Sequence, residues 1–406
     1  MQAAASLASE KADYPRIPAP CPAFGECGGC ALQDLAYDHQ LALKRRRLEQ
    51  ALAPLGVVPP FELVGLDEPW RYRNKAELTF GQEDGRVTLG YHAARSFWRV
   101  VDLEDCLLLP QPLWPMVREV RALAQQTGLP AYQPRTHQGV FRHLIVRYSH
   151  ATGQAMVCLV TAPGLDRDAT RRIMGELAQT LRQRHPQLAS VYWGLTTRLA
   201  DVAQPDELVL LEGDAYLEDR VGPFRLRLHP LSFLQPASVQ ADRLYRALCD
   251  ALGGCAEQVA WDLYCGVGLI SFYLSACVRQ VYAIDSEPHH LELAHVNAAL
   301  NGLSNIEFRT GKVEVLLKDR RFWLQEARPD LLVVDPPRAG LHPDAVSSLL
   351  AARPATLAYL SCNVHSLVRD LQQLSTGFPR YRLTHLQAFD MFPQTNHAEV
   401  LAILRR

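Results

Sequence analysis

Apolar positions follow two regimes along this chain. Between Trp70 and Val160 most of them alternate with polar ones, in runs such as Ala76–Phe80, Val87–Tyr91, Leu144–Tyr148 and Met156–Val160, broken by Gly85 and Gly153. A period of two predicts strands, and the glycines predict turns between them. Helical periodicity interrupts this region at Leu113–Gln126 and Asp168–Arg182. The character changes near Gly222–Leu228. Beyond it, short continuous apolar runs at Val259–Leu263, Gln280–Ile284, Leu331–Val334 and Thr356–Leu360 alternate with helical stretches at Leu269–Ala276, His289–Asn301, Asp344–Ala351 and His365–Leu374. Runs of that length read as buried parallel strands, and a last one follows at Val400–Leu404. Near the N-terminus, Asp38–Leu52 reads as a helix, with Leu41, Leu48 and Leu52 on one side and Lys44–Arg47 across it. The first twenty residues are rich in Ala and Pro and are expected to fray.

Strand–helix alternation predicts an α/β chain whose C-terminal part, 229–406, is a Rossmann-like doubly wound domain. A strand-rich central domain, 66–228, is expected before it, and an N-terminal segment with a cysteine cluster and a helix at 1–65. A length of 406 residues fits two or three domains. Lys+Arg is 42 against Asp+Glu 43, so no overall charge marks a nucleic-acid or membrane protein, and basic patches must be sought locally. No apolar run is long enough for a transmembrane helix, and no signal peptide is evident. Ten cysteines in a chain of this size argue against a disulfide framework, and a cytoplasmic protein is expected.

Chemistry concentrates at the ends of the apolar runs. Val259–Ile270 reads as strand, acidic residue, Gly-x-Gly turn and helix start, with Gly266 and Gly268 able to let backbone approach a ligand. Some twenty residues on, Asp285 ends the next strand, placed to accept hydrogen bonds from ribose hydroxyls. The loop lacks the third glycine of dinucleotide sites, which points to S-adenosylmethionine, a ribose ligand without a pyrophosphate. Cys265 beside it reads as a small buried residue. Asp335-Pro-Pro-Arg338 forms a rigid carboxylate turn at the end of a buried strand. Cys362 follows the next strand at the start of a helix, where amide dipoles are expected to depress its pKa. Glu399 opens the last strand, as a general base or as a plain exposed carboxylate.

A second concentration lies in Cys21-x5-Cys27-x2-Cys30, three of ten cysteines in ten residues. Cys106 is the best fourth ligand. Four thiolates suit zinc, and three close ligands with one remote suit a [4Fe–4S] cluster equally well. Four basic stretches, Lys44–Arg47, Arg71–Lys75, Arg142–Arg147 and Arg171-Arg172, could meet phosphates. Arg71–Lys75 has the strongest claim because Trp70 and Tyr72 add stacking groups.

Five ordered motifs carry a resemblance: Ser232-Phe-Leu-Gln235, Asp262-Leu-Tyr-Cys-Gly-Val-Gly268, Asp335-Pro-Pro-Arg338, Ser361-Cys-Asn363 and Asp390-Met-Phe-Pro-Gln-Thr-x-His397-x-Glu399. From Leu231 to Arg406, and separately in the cysteine cluster, the chain resembles the RNA uridine-5-methyltransferases. The resemblance implies Cys362 as nucleophile and Glu399 as base. It implies cofactor contacts by Gln235, Tyr264 and Asp285, with Asp335 where cofactor and base meet. It also favours a [4Fe–4S] cluster on Cys21, Cys27, Cys30 and Cys106. Leu269 departs from members with a polar residue there, and Asp285 replaces a more frequent glutamate. Many members begin with a small RNA-binding barrel. With the cluster starting at Cys21 no room is expected for one, so the chain resembles the short bacterial enzymes. The expected partner is RNA, 23S rRNA first and tRNA second, with no membrane and a monomeric chain; a non-catalytic RNA-binding or assembly module is the reading from another class.

Overall fold

The computed structural model describes residues 7, 9–163, 166–319, 328–377 and 380–406. Of the stretch expected to fray, residues 1–6 and 8 lie outside the described residues. Residues 9–17 are tied down instead. Lys11 donates to the Ala31 carbonyl at 2.8 Å and pairs with Asp34 at 2.5 Å, and Glu10 pairs with Arg47.

Helix α1 (Tyr37–Leu52) leads to a two-residue strand β1 (Leu63–Val64). Seven central strands follow: β2 (Lys75–Glu83), β3 (Arg86–Ala93), β4 (Ser96–Asp102), β5 (Phe141–Tyr148), β6 (Ala155–Thr161), β7 (Leu188–Leu195) and β8 (Glu207–Gly213). They form one sheet in the order β4-β3-β2-β5-β6-β7-β8. Only β6 and β7 pair in parallel. Helices α2 (Leu113–Gln126) and α3 (Arg167–Arg184) pack on this sheet, and α3 supplies the crossover that a parallel pair needs. A hairpin of β9 (Leu217–Val221) and β10 (Phe224–Leu228) closes the region.

The C-terminal part opens with α4 (Ser238–Leu252) and then alternates as its apolar runs predict. The elements are β11 (Val259–Leu263), α5 (Leu269–Ser275), β12 (Gln280–Asp285), α6 (Pro288–Leu300), β13 (Ile306–Thr310) and a short α7 (Val313–Leu316). Then come β14 (Leu331–Val334), α8 (Pro343–Ala352), β15 (Thr356–Ser361), α9 (Val364–Thr376), β16 (Arg382–Phe389) and β17 (Glu399–Arg405). The sheet order is β1-β16-β17-β15-β14-β11-β12-β13. Strands β13 to β15 run parallel, and β17 inserts antiparallel between β15 and β16. Chain order reverses between β11 and β14, and ligands of doubly wound sheets bind at the carboxyl ends of strands beside such a switch.

The N-terminal segment is part of this unit. Strand β1 extends the sheet by pairing in parallel with β16, and Leu48 and Leu52 of α1 join the core beneath β11, β14 and β15. Lys44, expected on the polar side of α1, is buried with them. Among the described residues no helix is long and apolar enough to cross a membrane.

Candidate active site

Four parallel strands end side by side, and each delivers one candidate. Tyr264 follows β11, Asp285 ends β12, Asp335 follows β14, and Cys362 follows β15. Glu399 starts the antiparallel β17 beside Cys362, because Ser361 of β15 pairs with Val400. Five residues spread over 135 positions of sequence thus meet at one sheet edge.

The cofactor side is shaped by backbone. Tyr264, Gly266 and Gly268 all have positive φ (67°, 55° and 88°). Gly268 needs its missing Cβ, which would stand 3.0 Å from Phe272 and 3.2 Å from Ala294. For Tyr264, left-handed backbone is a strain that marks functional turns. Asp285 holds the loop: Gly266 N–H donates to Oδ2 and Glu287 N–H to Oδ1, each at 2.9 Å, and His290 Nδ1 stands 3.3 Å from Oδ1. Burial pushes this carboxyl up, but the His290 and backbone hydrogen bonds outweigh it and hold it below its ordinary value. Gln235 is buried on the entry to α4, where its carbonyl accepts from Asn74 Nδ2 at 2.8 Å. A cleft of about 840 Å³ opens beside Asp285, between Lys75, Glu77 and Tyr216 on one wall and Phe233, His289 and His290 on the other.

The reacting side is a buried carboxylate pair. Asp335 is raised to about 7 by desolvation, and Glu399 is raised well above its ordinary value by desolvation and by the Asp335 charge. Neither carboxylate oxygen of Glu399 has a hydrogen-bond partner. Two acids set in one dry site resist ionising together, so at least one of them keeps its proton at neutral pH. Cys362 stands against them. Its thiol is pushed up to about 11, by burial first and then by Glu399 and Asp335, with Arg338 opposing. The expected depression at a helix start is therefore corrected. Helix α9 begins only at Val364, and the Asn363 side chain caps its first turn by accepting from His365 N–H.

Sequence reasoning missed three groups here. Tyr245 of α4 is buried within electrostatic reach of Asp335 and Glu399; an amphipathic helix gave no reason to single it out. Asp262, quoted only as part of a motif, is fully buried, accepts from Ser271 Oγ at 2.5 Å and is raised to about 7 by desolvation. The Arg338 guanidinium lies 3.0 Å from His397 Nδ1, and burial with that charge lowers His397 to about 4.

The four cluster thiols lie within electrostatic reach of one another. Cys27 is raised to about 11 and Cys30 to about 12, by burial first and in part by Cys106. Cys106 is itself raised, by burial and by Cys21. Gly29 N–H points at Cys27 Sγ at 3.4 Å, and Arg73 lies close enough to lower Cys30 and Cys106. Soft sulfur donors with an N–H bond to sulfur and a nearby cation suit a thiolate-held centre. As they stand, no group of three or more His, Cys, Asp or Glu among the described residues is arranged to hold a metal ion. Cys265 is buried as expected.

Three of the basic stretches are largely used internally, whereas Arg171 and Arg172 of α3 are exposed. Arg71 pairs with Asp105 and Lys75 with Glu77, while Tyr72 is buried with its hydroxyl donating to the Pro393 carbonyl at 3.0 Å. Lys44, Arg142 and Arg147 are buried. The expectation that Arg71–Lys75 offers free stacking and phosphate groups is thus corrected.

Sheet order, the glycine loop and the Asp285 carboxylate that ends β12 define an S-adenosylmethionine-dependent methyltransferase. Residues 211–406 match a family model described as tRNA (Uracil-5-)-methyltransferase. The chain is 32% identical over 392 residues to an uncharacterized RNA methyltransferase of Halalkalibacterium halodurans, covering 96% of this chain and 83% of that one. It is 34% identical over 395 residues to another from Gloeobacter violaceus, covering 96% and 83%. A crystal structure of the Pyrococcus abyssi tRNA (uracil-54, C5)-methyltransferase with S-adenosyl-L-homocysteine superposes with a TM-score of 0.73 at 27% identity, over 93% of this chain and 85% of that one. The chain belongs to the RNA (uracil-5-)-methyltransferase family.

Proposed function

We propose that the protein makes 5-methyluridine in 23S rRNA, with Cys362 as nucleophile and Glu399 as base. The observation that carries this reading is Cys362 set beside two buried carboxylates that resist ionising together, at the edge where the Gly266–Gly268 loop begins. C5 of uracil is too poor a nucleophile to take a methyl group unaided. Cys362 first loses its thiol proton to solvent; addition of the thiolate Sγ to C6 then forms a carbon–sulfur bond and moves the ring electrons toward C5 and O4. S-adenosylmethionine, when bound, supplies an electrophilic methyl group. Once C5 carries it, Glu399 in its ionised form takes the remaining C5 proton, the double bond re-forms and the Cys362 thiolate leaves. Gln235, Tyr264 and Asp285 would hold the cofactor, and Asp335 would stand between cofactor and base. The target uridine must be unstacked to reach Cys362.

Cys21, Cys27, Cys30 and Cys106 would hold a [4Fe–4S] cluster with a structural role. In this reading 1–65 is the cluster segment, 66–228 the RNA-recognition domain and 229–406 the catalytic domain. A second reading keeps the chemistry and takes a tRNA uridine; the tRNA substrate named for the Pyrococcus abyssi enzyme favours it. Incubating the protein and cofactor with 23S rRNA and with tRNA, then mapping 5-methyluridine by mass spectrometry, decides between them. Product in 23S rRNA is expected. Product only in tRNA would support the second reading, and none in either would overturn both.

A further inference from the structure

The exposed aromatic groups of the central region lie on β4, an edge strand paired only with β3. Phe97 is 83% and Trp98 62% exposed. Consecutive strand residues point to opposite faces, so two exposed neighbours leave both faces of the strand uncovered. An edge with free backbone and bare aromatics is a liability unless something binds it. We propose that the groove beside β4 is a stacking site for an unpaired RNA nucleotide distant in sequence from the methylated uridine, a proposal that rests on the RNA-substrate reading.

The groove has a volume of about 170 Å³ and is walled by Trp98, Tyr132, Arg142, Thr88, Gln82 and Gln133. Aromatic faces meet cations there: the Arg142 guanidinium lies 4.2 Å from the Tyr132 ring centre, and Arg135 lies 6.0 Å from that of Trp98. Arg142 is buried and its terminal nitrogens donate to the Arg198 and Ala200 carbonyls, so it fixes the groove wall, while the exposed Arg135 is free to meet a ligand. Segments 91–100 and 132–143 carry Arg95, Arg99, Arg135 and Arg142 and no carboxylate. Of the groove's two carboxylates, Asp201 is engaged by His92 at 3.0 Å and His143 at 3.2 Å. Aromatics interleaved with arginine are what single-stranded nucleic acid uses for affinity without sequence preference. A protein partner would want the apolar edge without the exposed Arg95 and Arg135 beside it.

The groove is also joined to the reacting centre. Gly28 N–H donates to the His92 carbonyl at 2.9 Å, and Ala94 N–H to that of Glu26 at 2.8 Å. Glu26 pairs with Arg99 at 2.6 Å. Farther along the same segment, Ala31 and Leu32 N–H groups both donate to the carbonyl of Gln394, five residues before Glu399. An RNA strand with its uridine at Cys362 therefore has the cysteine segment as a bridge to β4.

The test uses the full-length protein and a labelled adenosine hexanucleotide, which has no uridine to methylate. Saturable, salt-sensitive quenching of tryptophan fluorescence is expected. Trp98→Phe should remove that quenching and hold affinity within about twofold, since a ring remains. The double variant Phe97→Ala, Trp98→Ala should lose affinity about tenfold by anisotropy, and the exposed Arg135→Ala should lose severalfold. Cofactor affinity by calorimetry reports that each variant is folded. Hexanucleotide binding unchanged in the double variant and in Arg135→Ala, while the wild type still methylates RNA, overturns the groove and leaves the RNA reading intact. A wild type that methylates no RNA overturns that reading instead. Loss of a dimer in the double variant would make β4 a contact between copies and would also overturn the proposal.

Discussion

Cys362 lies one residue past the Ser361–Val400 pair that ends β15, which sets it beside Glu399, the first residue of β17. In the proposed mechanism covalent attack and proton removal fall to neighbouring strands that run in opposite directions, so that one uracil ring would meet both groups. The order of events follows from their roles. Cys362→Ala should abolish methyl transfer and give no covalent RNA complex. Glu399→Gln should still add the thiol and accept the methyl group, then stall with C5 protonated. A methylated protein–RNA band resistant to denaturing gels is the expected outcome. If Glu399→Gln turns over normally, the carboxylate is not the base. Full activity in Cys362→Ala would remove the covalent mechanism altogether.

The linked ionisation of Asp335 and Glu399 should make cofactor binding depend on pH. In the proposed reading the positive sulfonium of S-adenosylmethionine stands near Asp335 and would favour the ionised form of the pair, whose Asp335 is raised to about 7 by desolvation. Binding at neutral pH should therefore release a fraction of a proton, and affinity should rise with pH through about 7. S-adenosylhomocysteine has no cationic sulfur and should release almost none. Calorimetry in buffers of different ionisation enthalpy measures both. Equal release by the two ligands would place the sulfur away from the pair.

The four thiols at Cys21, Cys27, Cys30 and Cys106 lead to an analytical prediction. Protein purified without oxygen should be brown, with about four iron and four sulfide per chain. Substituting Cys106 by Ser should lower iron content and loosen the 21–32 segment, read as faster amide exchange there. One zinc and no sulfide would replace the assignment by the alternative that the spacing alone allows.

Much of the catalytic sheet was legible because strands buried on both faces must be continuously apolar. Leu331–Val334 and Thr356–Ser361 stand where the pattern put them. The strand-end residues were legible because glycine, proline and acid at fixed places leave little conformational choice. Charged stretches were not. The run Lys44–Arg47 reads as a solvated face, yet Lys44 is buried because Asp390, 346 positions away, supplies its counter-charge. Likewise the Cys362 pKa depends on carboxylates from two other strands, which local sequence cannot reveal. Phe97 and Trp98 read as ordinary strand residues, since nothing in their spacing tells an edge strand from a central one.

That Lys44–Asp390 pair gives the last prediction. Lys44 Nζ lies 2.6 Å from Asp390 Oδ1 and 3.0 Å from the Phe392 carbonyl, and Tyr37 donates to Asp390 Oδ2 at 3.0 Å. Both charged side chains are almost wholly withdrawn from solvent. Burial lowers the Lys44 pKa, and Asp390 opposes that fall. Gln40, one turn earlier on α1, contacts Gln394 through both its amide nitrogen and its oxygen, so α1 grips the turn that leads into Glu399. Removing one partner of a buried pair leaves the other charge uncompensated, a cost of about 3–5 kcal/mol. Lys44→Ala should therefore lower stability by about that amount in urea unfolding. Lys44→Met combined with Asp390→Asn should recover most of the loss, because neither charge is then stranded. If the pair also positions Glu399, the double variant should remain folded and yet methylate more slowly, with kcat falling and cofactor affinity unchanged. A Lys44→Ala loss below about 1 kcal/mol would mean that Tyr37 alone satisfies Asp390, and that α1 is held to the turn by its glutamine.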